Sequence, residues 1–492
     1  MKIEIPMFHD VWMDNGVEHL YRILKESDGV KTNLLSNKFE FEIIDKENFL
    51  KSFVKKIEEK RDSVIFIEEK NETTNEKRNL KKDFVLIQYG KKVDGRNVLK
   101  EKIYLNPEER INEIFDIINE NGNNKCIICG KNYKKRVDNL KQAVYPLVTK
   151  IKSLNGIRST REQYVELCPL CYLIGTLEWC DEGIIYRVFP KSHSFVLLPK
   201  VYDFKTLYES KSKWINTVLS GERFSNIKVS KNNYEEVEWT SSEYSTLLCF
   251  FEKFLNWVCL EDEGLMSFES AKSEVCEDWV YMSIPWGMVK NIKFEDLDIE
   301  NEVMGIIYEL IKDEKYVYGD FIKKILYFRK TPNGTTIDND LTNQTRENLS
   351  KYFLMDDFNK FSNTFIPRKK GRISINKESR GVLENLVYLW RLQKMGFEKE
   401  DLETIKSVGN IVAEVSTKSI GLLYRLDKAR SIEEFWNSLR EISRKMISLE
   451  KPVKAKSING LIEMMNEKRE NWEEIKNLLV IYSCMYYYIK TL

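Results

Sequence analysis

Short runs of β-branched and aromatic residues recur in the first 200 positions, at 39–44, 64–67, 84–89 and 184–189, each of strand length. Between them, 107–118 places Ile111, Ile114, Phe115 and Ile118 at helical spacing. The mixture predicts an α+β N-terminal body. Farther along, Leu247, Leu248, Phe250, Phe251, Phe254, Leu255 and Val258 form a wide helical stripe, and another helical segment runs over 303–311. The middle of the chain is therefore predicted to be mainly α-helical.

The polar stretch 331–344, with Pro332, Asn333 and Gly334 and no apolar period, reads as a linker or exposed loop. It sets expected boundaries of 1–330 for the body, 331–366 for a linker and connecting segment, and 367–492 for a C-terminal domain. Beyond Pro367 only Pro452 remains, and helical stripes follow one another. The first joins Val382, Leu383, Leu386, Val387 and Trp390; the second joins Leu402, Ile405, Val408, Ile411, Val412 and Val415. Ser431 with Glu434 forms a capping box ahead of Phe435, Leu439, Ile442 and Met446, and a final helix is predicted over 472–489. Four or five helices with short connections predict a compact bundle. Most tryptophans, Trp257, Trp279, Trp286, Trp390, Trp436 and Trp472, fall on or beside apolar stripes and are expected in the core. The run Tyr486, Tyr487, Tyr488 suits closure of the bundle or contact with a neighbouring subunit.

Composition changes this picture little, since 492 residues with 42% hydrophobic and 32% charged side chains describe ordinary globular domains. Charge changes it more. The formal net charge is only +1, yet residues 361–492 hold 24 basic and 17 acidic side chains, so the excess of positive charge is confined to the C-terminal region. Such asymmetry points to a polyanionic partner. The opening residues lack the apolar core of a signal peptide, and the run 478–489 is too short and too rich in tyrosine to span a bilayer. A cytoplasmic location without a membrane partner is expected.

Candidate chemistry is sparse. His9, His19 and His193 are the only histidines, which disfavours mechanisms needing several. His9-Asp10 lacks the further ligands of a metal phosphohydrolase. His193, between Ser192 and Ser194, has no surrounding triad and is expected to border a strand. No two glycines stand one residue apart, and neither Gly90-Lys91 nor Gly130-Lys131 completes a phosphate-binding loop.

The strongest local signal is Cys126-Ile127-Ile128-Cys129-Gly130 followed, after 38 intervening residues, by Cys168-Pro169-Leu170-Cys171. Two such knuckles can present four thiolates to one tetrahedral zinc, with Gly130 supplying the left-handed turn. Cys126, Cys129, Cys168 and Cys171 would close the coordination shell, so the metal would be structural. A comparable cysteine frame occurs in HNH nucleases, where an Asp-His pair lies between the knuckles. Here the corresponding place reads Arg136-Val137-Asp138-Asn139, and an amide cannot act as the general base.

Two basic clusters are candidate nucleic-acid contacts. Lys131, Lys134, Lys135 and Arg136 follow the first knuckle with Tyr133 among them, which suits phosphate contact with base stacking, or equally a solvated loop. Arg368, Lys369, Lys370 and Arg372 open the C-terminal domain more densely, and Lys451, Lys454 and Lys456 add charge later.

Taken together, Pro6, Trp12, Asp14, Gly16-Val17 and Leu20, then Cys126-x-x-Cys129-Gly130, then Cys168-Pro169-Leu170-Cys171 running into Leu173-Ile174-Gly175, resemble the large subunit of type I CRISPR effector complexes, the type I-B branch in particular. The resemblance rests on motifs in the first 200 residues and on layout beyond them. It implies a mixed N-terminal body and a C-terminal bundle akin to a separate small subunit. It also implies a non-enzymatic role in antiviral defence beside a guide RNA and target DNA. Such a subunit checks the protospacer-adjacent motif in duplex DNA, helps open the strands, contacts backbone and other Cascade subunits, and recruits a helicase-nuclease. In some relatives an internal start yields a free small subunit; Met355 would be the corresponding start, giving a product of 138 residues. Alternatives from other classes are a zinc-stapled nuclease or other nucleic-acid enzyme, and a free-standing zinc-containing scaffold.

Overall fold

A computed structural model describes residues 1–60, 101–141, 144–146, 166–189, 193–215, 278–285, 293–298, 301–312, 318–332, 334–368, 371–375, 377–392, 396–449 and 455–491, with short pieces of 68–99, 229–230 and 244–255. The runs expected at 64–67 and 84–88, part of the stripe at 244–260, Trp257, Trp286, Lys369, Lys370, Lys451 and Lys454 lie outside the described residues. The chain is mixed α+β with a helical C-terminal region. It divides into two compact units, one of Met1–Glu238 with Cys276–Asp298, the other of Trp239–Val275 with Ile299–Leu492.

In the first unit, β1 (Lys2–Pro6), β2 (Val30–Leu34) and β3 (Lys38–Ile43) form an antiparallel sheet in the order β1-β3-β2. Alternation decides which face is buried: Ile3 and Ile5 of β1 face inward beside Phe39 and Phe41 of β3. Helix α1 (Val11–Lys25) starts at Asp10, whose carboxylate accepts from the Met13 N–H at 2.9 Å. Helix α2 (Lys46–Lys60) buries Phe49, Phe53 and Ile57, four residues apart, and Phe49 and Phe53 pack on Phe115 of α3 (Pro107–Ile117). A separate four-stranded antiparallel meander comprises Ile185–Phe189, His193–Pro199, Asp278–Pro285 and Lys293–Asp298. His193 does open its strand.

A close approach in this unit joins α1 to α4 (Pro169–Leu177). The Trp12 indole N–H donates to the Val144 carbonyl at 2.9 Å and the Gly175 carbonyl at 3.2 Å. A Cβ on Gly16 would stand 2.8 Å from Ile174 Cγ2, and one on Gly175 would stand 2.2 Å from the Val144 carbonyl oxygen. Gly16 is therefore required by contact between the two helices and Gly175 by the close chain at Val144, rather than by turn geometry.

The expected linker at 331–366 is instead regular structure within the second unit. β5 and β4 pair as a hairpin, β4 being Leu326–Thr331 and β5 Gly334–Ile337, so Pro332 and Gly334 do mark a turn, but one between strands. Asp338 then caps α5 (Asn339–Leu354), accepting from the Leu341 N–H at 3.0 Å, and α6 (Phe358–Thr364) follows. The polar composition hid α5, because that helix buries little more than Leu349, Phe353 and Leu354 among its large side chains.

The C-terminal stripes form the helices they predict. Lys377–Val387 continues into a π-helical turn, Tyr388–Leu392; α7 (Lys399–Ser416) carries the second stripe, and α8 (Trp472–Thr491) is the last helix. Leu478 to Tyr482, Cys484, Met485 and Tyr488 are buried on every side of α8, as befits a central helix. Gly409 lets α7 reach it: a Cβ there would stand 2.8 Å from Tyr482 Cβ. At Ser431 the capping box is half realised. Ser431 accepts from the Glu434 N–H at 3.2 Å, while the Glu434 carboxylate accepts from Arg430 N–H at 2.8 Å rather than from Ser431. Trp279 and Trp390 are fully buried as expected, whereas Trp436 and Trp472 are half-buried. Tyr488 is buried and donates its hydroxyl to the Phe365 carbonyl, so it closes the bundle.

Candidate metal centre

Cys126, Cys129, Cys168 and Cys171 lie together, each Sγ within 4.8 Å of the others, and could bind a metal such as zinc. The first knuckle hangs from a two-residue ribbon, Asn124–Lys125 against Asn132–Tyr133. Inside it, the Cys126 N–H donates to the Lys131 carbonyl at 3.0 Å and the Gly130 N–H to the Cys126 carbonyl at 2.9 Å, with Gly130 at φ 69°. The second knuckle is the start of α4: Cys168 is its N-cap and accepts from the Cys171 N–H at 3.4 Å. A backbone bond from Ile127 N–H to the Glu166 carbonyl, 3.1 Å, ties the two knuckles across the sequence between them.

The spacing fits a tetrahedral thiolate site. A zinc–sulfur distance of about 2.3 Å implies sulfur–sulfur edges of about 3.8 Å, and Cys129 Sγ and Cys168 Sγ are 3.7 Å apart. That is far too long for a disulfide. The electrostatics point the same way. Hydrogen bonds from Cys129, Cys168 and Cys171 hold Cys126 far below the usual thiol range, Cys129 is lowered as well, and hydrogen bonds with Cys126 and Cys129 push Cys168 and Cys171 up. All four ionise together only around a cation. Cys126, Cys168 and Cys171 are buried and Cys129 is partly so.

The basic run behind the first knuckle is largely engaged with the protein. Lys131 Nζ donates to the Glu4 carbonyl at 2.9 Å, Lys134 pairs with Glu120 at 3.4 Å, and Arg136 pairs with Glu166 at 3.2 Å. Lys135 is exposed and makes no such contact among the described residues. Tyr133 departs from expectation: it is 2% exposed, with its hydroxyl on Glu166, so it cannot stack on a base. Burial made this aromatic a core residue despite its basic neighbours. Asp138, at the position of the nuclease-like motif, accepts from Lys141 Nζ at 2.8 Å.

The second basic cluster is not the start of a helix. Arg368 and Gly371 exchange backbone hydrogen bonds of 3.1 and 3.2 Å, and Arg372 lies in β6 (Gly371–Ser374) opposite Phe328 of β4. The sequence here turns into a strand because β4 offers an edge to pair with. Arg368 reaches a polar cavity of about 160 Å³, lined also by Tyr327, Tyr352, Gln344, Asn348 and Lys360. Two tyrosines, two amides and two cations can between them accept a base face, a base edge and a phosphate. Gln344, Asn348 and Tyr352 were not singled out by sequence, because they sit at helical spacing on the polar side of α5, and Tyr327 comes to them from β4.

A third group escaped sequence reading altogether. Glu18 and His19 of α1, Glu178 and Asp181 after α4, and Lys211 of the helix Phe204–Ile215 meet in the interior of the first unit, all at most 6% exposed. Lys211 Nζ binds Glu18 at 2.9 Å and also pairs with Asp181, and Arg22 pairs with Glu18. Burial raises Glu178 well above the usual carboxylate range and lowers His19 to about 3. Burial alone would raise Asp181 too, but the Lys211 ammonium overcomes it and holds that carboxyl down. The only sequence signal was Glu18 four residues before Arg22.

Compared with known proteins, the chain matches no protein-family model and no curated protein sequence. Among the described residues, no helix is long and apolar enough to cross a membrane.

Proposed function

We propose that this chain is a non-enzymatic, nucleic-acid-handling subunit of a guide-RNA-directed surveillance complex, in the manner of the type I CRISPR large subunits its motifs resemble. The cysteine cluster holds a structural zinc, and the complex acts in the cytoplasm. The subunit reads the short motif beside the target in duplex DNA, steadies the opened strands and presents a platform to backbone subunits and to a recruited helicase-nuclease. The observation carrying this reading is that the separated motifs of the resemblance pack into one piece. Trp12 bonds to the carbonyl of Gly175, Gly16 presses on Ile174, and the helix they grip begins at Cys168 and Cys171. Four thiolates closing the shell leave a metal no open position for a water or substrate, which supports scaffold rather than catalyst. The cavity at Arg368 and Lys360 supplies a seat for a strand in the C-terminal unit. The test is purification of the tagged chain from its native cells with sequencing of any bound RNA. Short repeat-derived guides in stoichiometric amount are expected; recovery of the chain without RNA contradicts the reading.

A further inference from the structure

Inside the first unit, one atom from each of His19, Glu178 and Asp181 lies within 4.8 Å of the other two, and all three residues are buried. His19 Nδ1 is 3.1 Å from the Leu177 carbonyl oxygen, which can only accept. The ring proton therefore sits on Nδ1, and Nε2 keeps its lone pair. Among the described residues that lone pair has no partner, and neither Glu178 oxygen has a hydrogen-bond partner either. Buried polar atoms are nearly always satisfied, and unpartnered atoms on two members of one buried cluster call for a ligand.

The charges narrow what that ligand is. Lys211 pairs with Glu18 and Asp181 and Arg22 pairs with Glu18, so among the described residues Glu178 is the carboxylate of the three with no ion-pair partner. Asp181 already accepts from Lys211 and from the Gly183 N–H at 2.8 Å, and Glu18 from Lys211 and Arg22, which leaves Glu178 as the uncompensated group. A proton on Glu178 would cancel the charge and could pass to a hydrogen bond with His19, but it would give Asp181 no share in the contact. A cation satisfies all three groups at once. One imidazole nitrogen with two carboxylates suits a divalent transition ion better than Ca²⁺ or Mg²⁺, which prefer all-oxygen shells. Ligand–ligand separations around such an ion are about 3–4 Å, within reach of small rotations of the Glu178 and Asp181 side chains. The His19 hydrogen bond is also that of many metal-ligating histidines, with one ring nitrogen held by a backbone carbonyl.

We propose that His19, Glu178 and Asp181 form a second metal site, chemically distinct from the thiolate cluster, which binds one divalent transition-metal ion. The ion ties α1 to the turn after α4. Since α4 begins at Cys168 and Cys171, that helix is then fastened at both ends. Full burial of the ligands makes the site a structural clamp.

Cobalt separates the two sites. The full chain is expressed in cobalt-supplemented minimal medium, and its cobalt content is compared with its near-ultraviolet absorption. Thiolate-bound cobalt gives sulfur-to-metal charge-transfer bands; cobalt on imidazole and carboxylates gives none. The expected result is one cobalt per chain beyond what the thiolate bands account for, and loss of that ion alone in Glu178→Gln. The amide keeps the shape of the side chain, and persistence of the thiolate bands shows that the variant has folded. If they vanish, His19→Gln is read in its place. A wild-type chain whose cobalt is wholly accounted for by the thiolate bands, or a variant that retains the additional ion, overturns the site.

Discussion

The two units reach rigidity by different means. The N-terminal unit gathers polar groups in its interior: four cysteines at one end of α4, and a buried set of carboxylates, imidazole and ammonium at the other. The C-terminal unit is fastened mainly by apolar and aromatic packing. Trp390 stands edge-on to Phe353, Phe358 and Phe361 at ring distances of 4.9, 5.2 and 5.1 Å, and α8 is buried on all sides. The difference teaches where each unit can be broken. A polar interior fails when one partner is removed, because the others are left buried and unpaired. A packed interior fails in proportion to the volume removed.

The largest effect is expected from Cys168→Ser. Thiolate metal sites are coupled to folding, with apparent binding energies on the order of 10 kcal/mol. Calorimetry should show the N-terminal transition abolished or shifted far down while the C-terminal transition stays in place. Next comes Trp390→Ala. Emptying the space of this indole should cost about 3–5 kcal/mol and lower only the C-terminal transition. It also frees Asp356, which accepts from the indole N–H at 2.7 Å and is held at φ 50° beside Arg391.

Those neighbours bear on the expected start at Met355. Met355 is the exposed C-cap of α5, and a chain beginning there lacks Phe353, the ring partner of Trp390, and β4, the pairing partner of β6. The helical stripes from Val382 to Val415 were legible because packing on one face imposes a period. The strands and helices at 326–364 were not, since their order is set by a sheet edge and by caps rather than by apolar repetition. The cysteine cluster was equally legible, because knuckle spacing is local. The buried set at His19, Glu178, Asp181 and Lys211 was not, because its members meet only through tertiary folding over more than 190 positions of sequence.

A smaller effect sharpens the polar side of the comparison. Asp14, 3% exposed, accepts from the Phe8 N–H at 2.7 Å and the Asp10 N–H at 3.0 Å. Burial outweighs those bonds and raises its carboxyl from 3.8 to about 6. The folded state thus holds the proton more tightly than the unfolded state between those values. The associated stability is fully present below pH 3.8 and is lost as pH rises through about 6. The limit is about 3 kcal/mol. Denaturant melts of wild type and Asp14→Asn across pH 4–7 should differ in slope, the wild type losing relative stability with rising pH. Parallel profiles would return Asp14 to the ordinary carboxylates.

The smallest effect concerns the surface of the C-terminal unit. Replacing Lys360 and Arg368 by Ala should leave melting nearly unchanged and flatten the salt dependence of duplex-DNA binding by about 0.9 in log–log slope for each phosphate that is no longer neutralised. An unaltered slope would leave both as solvated charge.

Hydrogen exchange before and after stripping metal from the full chain tests most directly the claim that the N-terminal unit depends on metal and polar fastening in addition to its packing, while the C-terminal unit depends mainly on packing. Amide protection should collapse in Val11–Lys25 and Pro169–Leu177 and persist in Lys399–Ser416 and Trp472–Thr491. Equal loss in all four helices, or loss in none, would contradict the account.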